Sequence, residues 1–490
     1  MSKRITCLLL VLVLVLTSAG MIAYARQPDR TFTYEEDEAV PSTNIYQATK
    51  IIDANSMGTS TLLKEPSDIF VDDKDYVYIL DAGNCRVLIL DENYKLVKEL
   101  KEFKYGEKVL TLKENAKGLF YRENTETLYI CDTDNDRIIV CDLDGNVKKV
   151  YTKPVDDLLD PEVPYKPAKV IVDNMGIMYV LTSNINTGAV MVDANNSFLG
   201  FYGTNKLKLT AAMQAEYYWR DLLSKISKDF KGASTESFQP VEYYNLFWSA
   251  DRFVYAVSPV NENMSASVVK LNALGENVFS GTMDFLTYQE LSGKTQIQLM
   301  DLTVDHEGAI TVLDLTNGRL YQFDENCNLL AIFGGIGYQK GLFFRPVSIE
   351  CDSQKRLLVL DAQSATITVL DQTYYGQMIR VANSLYNEGR YEDSIEPWMD
   401  VIRMNANYTE AYVGLGKAYI GMCEYEKAME FFMVGKDQAG YAEAKAALRD
   451  ETVREYFGLV AAIVIIAMIS ILGYDQIKAI YWKIYWKVVK

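Results

Sequence analysis

Between residues 66 and 371 the apolar positions come in short runs, each closed by a polar turn. Ile69-Phe70-Val71 stops at Asp72, Tyr76 to Leu80 closes on Asp81, and Arg86 to Leu90 closes on Asp91. The same three-strand phrase returns at 128–132 with 137–142, and at 177–181 with 189–193. It returns again at 253–257 with 267–271, at 310–314 with 319–324, and at 357–361 with 366–371. The positions closing the second strand are 81, 132, 182, 258, 314 and 361, so the intervals are 51, 50, 76, 56 and 47. Short strands recurring near every 50 residues, with one long interval, predict six similar sheets and one insertion: a mainly β six-bladed propeller.

Blade six has three strands before the pattern turns helical after Asp371, one fewer than a blade needs. Tyr46-Gln47-Ala48-Thr49-Lys50-Ile51-Ile52 lies upstream of blade one and supplies the missing strand, which closes the ring and removes an open edge. The turns carry Asp81-x-x-Asn84-x-Arg86, Asp132-x-x-Asn135-x-Arg137 and Asp314-x-x-Asn317-x-Arg319. This signature resembles that of NHL repeats over about residues 66–371, and the resemblance implies a six-bladed propeller. Blades three, four and six depart from it, with Thr182, Ser258 and an Asp361 lacking the Asn and Arg. Asp and Asn fold such turns through side-chain-to-backbone bonds, so these nine residues read as structural.

A second period of 34 residues begins after the ring. Tyr391 and Tyr425 fall in register, as do Ala382 with Gly416, Ser394 with Ala428 and Trp398 with Phe432. Small residues facing large ones at fixed helical offsets resemble tetratricopeptide repeats, with Pro397 as a departure. The resemblance implies a helical TPR-like array over 374–456, its last helix running towards the C-terminal apolar segment.

Both ends carry apolar stretches. Lys3 and Arg4, an uncharged run from Ile5 to Met21 and Ala23-Tyr24-Ala25 have the parts of a signal peptide over 1–25; an uncleaved anchor is the alternative. Residues 26–43 read as a linker. Residues 457–474 hold no charge and suffice for one transmembrane helix. Residues 475–490 form a basic and aromatic tail, with Lys478, Lys483, Lys487 and Lys490 among Trp482, Tyr485 and Trp486. The positive-inside rule puts that tail in the cytoplasm and the remainder outside, as a single-pass cell-membrane protein.

The formal charge is −17 for the whole chain. Removing the leader takes away two bases, and the tail contributes +3, which leaves −22 on residues 26–456. Such acidity excludes nucleic acid as a partner. An apolar fraction of 49% with 11 prolines excludes a mainly disordered chain. Of the six cysteines beyond Cys7, Cys85, Cys131, Cys141 and Cys351 lie in or beside strand patterns and read as free thiols; disulfide connectivity is not readable from spacing.

Candidate chemistry is sparse. The single histidine, His306, falls in a turn and has no triad partner. Asp132-Thr133-Asp134-Asn135-Asp136 starts like a calcium loop but has Arg137 where glycine is needed and Leu143 where the closing acid belongs. A channel metal would need Glu, Asn and Asp on the inner strands, which show mainly Asp68, Gly118, Lys169 and Ser348. No catalytic residue, metal or cofactor is therefore expected. The long interval, 203–244, has an amphipathic helical pattern with Tyr217, Tyr218 and Trp219, followed by Tyr243, Tyr244 and Trp248. These six aromatics are the candidate surface for a protein partner or a glycan; packing as a small cap on the ring is the other reading. The expected function is an extracytoplasmic binding or scaffold component of a cell-envelope assembly, either a transporter or glycan-related. The alternative is a lactonase-like, metal-dependent hydrolase working in the propeller channel.

Overall fold

Turn residues at regular intervals cut the chain from Asp68 to Gln372 into six antiparallel blade sheets, one for each predicted blade, with a small hairpin of Phe103–Tyr105 and Lys108–Leu110 between the first two. The computed structural model describes residues 31–35, 38–185, 187–203, 242–260, 266–291 and 296–489. These fall into two units, Met1–Gly376 and Gln377–Lys490. Within the first, each blade starts with an inner strand at the ring axis: Asp68–Val71, Gly118–Arg122, Pro167–Val172, Asn245–Trp248, Leu299–Val304 and Pro346–Cys351. Blades one, two, three and five then run outward through three further strands of their own.

Blade six closes as the sequence implies. Tyr46–Ile52 pairs antiparallel with Thr366–Gln372, in the register Tyr46 to Gln372 and Ile52 to Ile367. Blade five receives an addition that the sequence pattern does not signal. Phe32–Glu35 and Glu38–Pro41 form a hairpin on its outer edge, joined through Phe32 opposite Ile332. Four-residue strands around an acidic turn carry too little periodicity to read as strands, and 26–43 reads as linker for that reason. The outermost strand ends in Pro41, which suits an unpaired edge.

The apolar cores lie between neighbouring blades, where the two faces of adjacent sheets meet. Leu358, Leu360, Ile367 and Val369 of blade six pack with Ile69, Val77, Ile79 and Leu88 of blade one. Equivalent clusters join blade one to blade two and blade four to blade five. A blade therefore completes its core only when its neighbour is present, as in any repeat architecture.

The repeated turns work alike. Asn84 Nδ2 and Arg86 Nε donate to Asp81 Oδ2 at 2.8 and 2.6 Å, while Asp81 Oδ1 accepts the Lys64 N–H at 2.8 Å. Asn135, Arg137 and the Lys113 N–H surround Asp132 in the same way. Asn317 and the Gln298 N–H do so for Asp314, but Arg319 lies over the Phe32 ring, 5.1 Å from its centroid. Asp361, without the Asn and Arg, still accepts from Phe344 N–H at 2.6 Å. The closing aspartate thus anchors the segment entering its own blade, and in blade six it does so without the Asn and Arg.

In the second unit the helices Tyr391–Met404, Thr409–Gly421, Tyr425–Val434 and Gln438–Val488 pack consecutively. Gly416 sits where a Cβ would come 2.7 Å from Phe432, and Gly414 where one would come 2.4 Å from the Trp398 indole. The small-against-large pattern is thus one of close helix contact. The first of these helices runs unbroken through Pro397. The last spans 51 residues with a mean hydropathy of 2.5 over its most apolar stretch, long and apolar enough to cross a membrane.

Candidate functional site

Successive strands alternate direction, so the blade-to-blade connections and the Asp-x-x-Asn turns share one face of the ring, here called upper. Inner strands therefore run from the upper mouth of the central channel to the lower one. Six residues occupy the same register on them: Asp68, Gly118, Lys169, Asn245, Asp301 and Ser348, each opposite the residue before a strand-closing position.

These residues form a buried polar ring. Lys169 Nζ donates to both Asp68 oxygens, at 3.0 and 2.8 Å. Ser348 Oγ lies 2.7 Å from Asp301 Oδ2 and 3.0 Å from Asp68 Oδ1. Asn245 Nδ2 donates to Asp301 Oδ1. Backbone donors from the following blade complete the set: Leu119 N–H reaches Asp68 Oδ2 and Ile349 N–H reaches Asp301 Oδ2, each at 2.8 Å. At Gly118 a Cβ would stand 2.4 Å from the Ala168 carbonyl oxygen, so only glycine lets blade two close on blade three there. Burial pushes the Asp301 carboxyl up to about 6, against the pull of Lys169. Lys169 is itself held protonated well above its ordinary range: the attraction of Asp68, Asp301 and Glu350 outweighs its burial.

The ring is the floor of an upper cavity of about 530 Å³. Lys117, Glu242, Tyr244 and Arg345 stand on its walls. Lys117 Nζ reaches Ser183 Oγ at 3.4 Å, and Arg345 pairs with Glu65 across the seam between blades six and one. Burial raises the Glu242 carboxyl, partly offset by Lys117.

Two residues further along each inner strand, on the same face, come Phe70, Phe120, Ile171, Phe247, Thr303 and Glu350. Below this layer lies a second cavity of about 400 Å³ at the lower mouth, with Trp248 and His306 on its rim. His306 Nε2 sits 3.2 Å from the Ser353 carbonyl oxygen, in the exposed turn assigned to it by sequence.

The six candidate aromatics are not brought together. Tyr217, Tyr218 and Trp219 lie outside the described residues. Tyr243 is buried in the core shared by blades two, three and four. Tyr244 is exposed and lines the upper cavity, whereas Trp248, at the far end of the same strand, lines the lower one. The inner strand Asn245–Trp248 runs the length of the channel between them. The polar ring itself was legible as the residue 13 or 14 places before each strand-closing position. Reading only Asp68, Gly118, Lys169 and Ser348 misses Asn245 and Asp301, which turn four isolated residues into a cluster.

No protein-family model and no curated protein matches the chain. Among solved structures, a virginiamycin B lyase from Staphylococcus aureus is similar at 10% identity and a TM-score of 0.40, over 67% of this chain and all of that one. A gluconolactonase from Xanthomonas campestris is similar at 12% identity and 0.39, over 71% and 99%. A structural genomics protein from Bacteroides thetaiotaomicron gives 14% and 0.42, over 71% and 83%. At TM-scores below 0.5 these likenesses carry no functional argument.

Proposed function

We propose that the chain is a membrane-anchored, extracytoplasmic binding and scaffold protein, an accessory component of a cell-envelope assembly. Its NHL-like propeller presents the upper mouth to a protein partner or glycan. Its TPR-like helices and single C-terminal span tie that ring to the membrane. The observation that carries this reading is the floor of the upper cavity, where a fixed ammonium stands between carboxylates. A hydrolase working through a channel metal would need a divalent cation among Asp68, Asn245 and Asp301. Lys169 already supplies the positive charge there, so this donor set does not fit the metal.

The insertion over 203–244 enters and leaves on the upper face, since it joins the outer strand Phe198–Tyr202 to the inner strand Asn245–Trp248. Replacing Tyr217, Tyr218 and Trp219 together with Ala is expected to reduce co-purification of the membrane partner, or retention on the glycan, at least tenfold. The urea midpoint should stay put. Full retention by the folded triple variant would move the interaction to the helical repeats. Stoichiometric metal in the purified protein together with lactone hydrolysis would favour the enzyme instead.

The orientation has its own test. Cys423 is exposed in the helical unit. A membrane-impermeant maleimide should label it in intact cells, while a Val489→Cys variant should gain its second label only after permeabilisation. The opposite pattern would invert the topology.

A further inference from the structure

We infer that the lower mouth of the channel is a second binding site, specific for a small organic ammonium compound. It is independent of the upper-face reading. Phe70, Phe120 and Phe247 come from the inner strands of blades one, two and four, and Trp248 joins them to give the cavity an aromatic wall. Glu350 is the one acid in that layer and is only 8% exposed. Thr303 Oγ1 donates to its Oε2 at 3.3 Å, its one hydrogen bond among the described residues, so Oε1 keeps its accepting capacity.

The charge of the lining, with its aromatic wall, selects the ligand class. Arg122, the basic residue on the wall, gives its Nη2 to the Asn174 carbonyl at 2.8 Å, and His306 is engaged with Ser353. Asn124, Asn174 and the Trp248 indole add neutral donors to the wall, and the charged groups left are acids: Glu350 within, and at the rim Glu123, whose Oε1 accepts the Asp73 N–H. An ammonium needs acceptors and aromatic faces. The volume, about 400 Å³, falls in the range of small-molecule sites. Burial and the neighbouring Asp301 raise the Glu350 pKa, while Lys169 opposes them without contributing a direct ion pair. This carboxyl therefore lacks a close cation of its own.

The test is calorimetric titration of choline into the full-length protein in a maltoside detergent, beside 3,3-dimethylbutan-1-ol, its uncharged isostere. Choline is expected to bind at least tenfold more tightly than the alcohol. Glu350→Gln and, separately, Trp248→Leu should each weaken choline at least tenfold without lowering the urea midpoint, while Lys117→Ala at the upper mouth should leave choline binding unaffected. Bound choline should also slow alkylation of Cys351, which lines this cavity, but not of the exposed Cys423. Glycerophosphocholine tells a free ammonium compound from a lipid head: the acidic rim should make it the weaker ligand, and the reverse order would overturn the free compound. Equal binding of choline and the alcohol, or no binding of choline, would overturn the site; so would full affinity in both folded variants.

Discussion

A chain lacking residues 44–53 is expected to lose about 5 kcal/mol or more of stability in its propeller unit, a large share of what a domain of this kind possesses. The deleted strand is the outer strand of blade six, and its removal leaves Thr366–Gln372 as an open edge. Tyr46 and Ile52 are buried, and each such side chain is worth about 1.5–3 kcal/mol. Tyr46 also stacks on Phe333 of blade five at 5.2 Å and accepts a hydrogen bond from Gln322 Nε2, so the deletion loosens the seam between blades five and six as well. Urea denaturation followed by tyrosine fluorescence reads the effect. The truncated chain should unfold at a lower midpoint, and with a shallower slope if the ring opens before it melts. An unchanged midpoint would mean that the ring is held by its inter-blade cores alone and that the strand is decoration.

The ring and its closure were readable because each rests on a local signal repeated many times. Six copies of a strand-turn phrase outvote any one deviant blade, and a missing strand in the last copy has to come from somewhere. The hairpin Phe32–Pro41 was not readable, because its pairing to blade five is a tertiary choice made by two strands of four residues. The polar ring was only half readable. Asp68, Lys169, Asp301 and Ser348 are separated by 47 to 280 positions in sequence, and only the common register of the inner strands makes them neighbours. Trp248 shows the converse: a residue close to Tyr244 in sequence ends at the other mouth, because a strand converts four positions into the depth of the channel.

That same register makes Lys169 the residue on which the channel depends most. Replacing it with Met keeps the length of the side chain and removes the charge, leaving Asp68, Asp301 and Glu350 without their shared counter-ion. Breaking a buried pair in this way typically costs about 3–5 kcal/mol, and a loss of that size is expected at pH 7.5. The loss should depend on pH, and its sign follows from the carboxyls. In the native protein Asp301 is raised from 3.8 to about 6, so its contribution to stability falls as pH rises through that window, by about 3 kcal/mol. Lys169 carries its charge throughout that window and limits the fall; without it Asp301 and Glu350 titrate higher and the fall is larger. At pH 4, where Asp301 and Glu350 are largely protonated, the Lys169→Met variant should therefore sit much closer to the native chain. Adding Glu350→Gln, which cannot ionise, should recover at least about 1 kcal/mol at pH 7.5. Equal losses at pH 4 and pH 7.5 would show that Lys169 acts by filling space, and the argument that it takes the place of a channel cation would fall with that result.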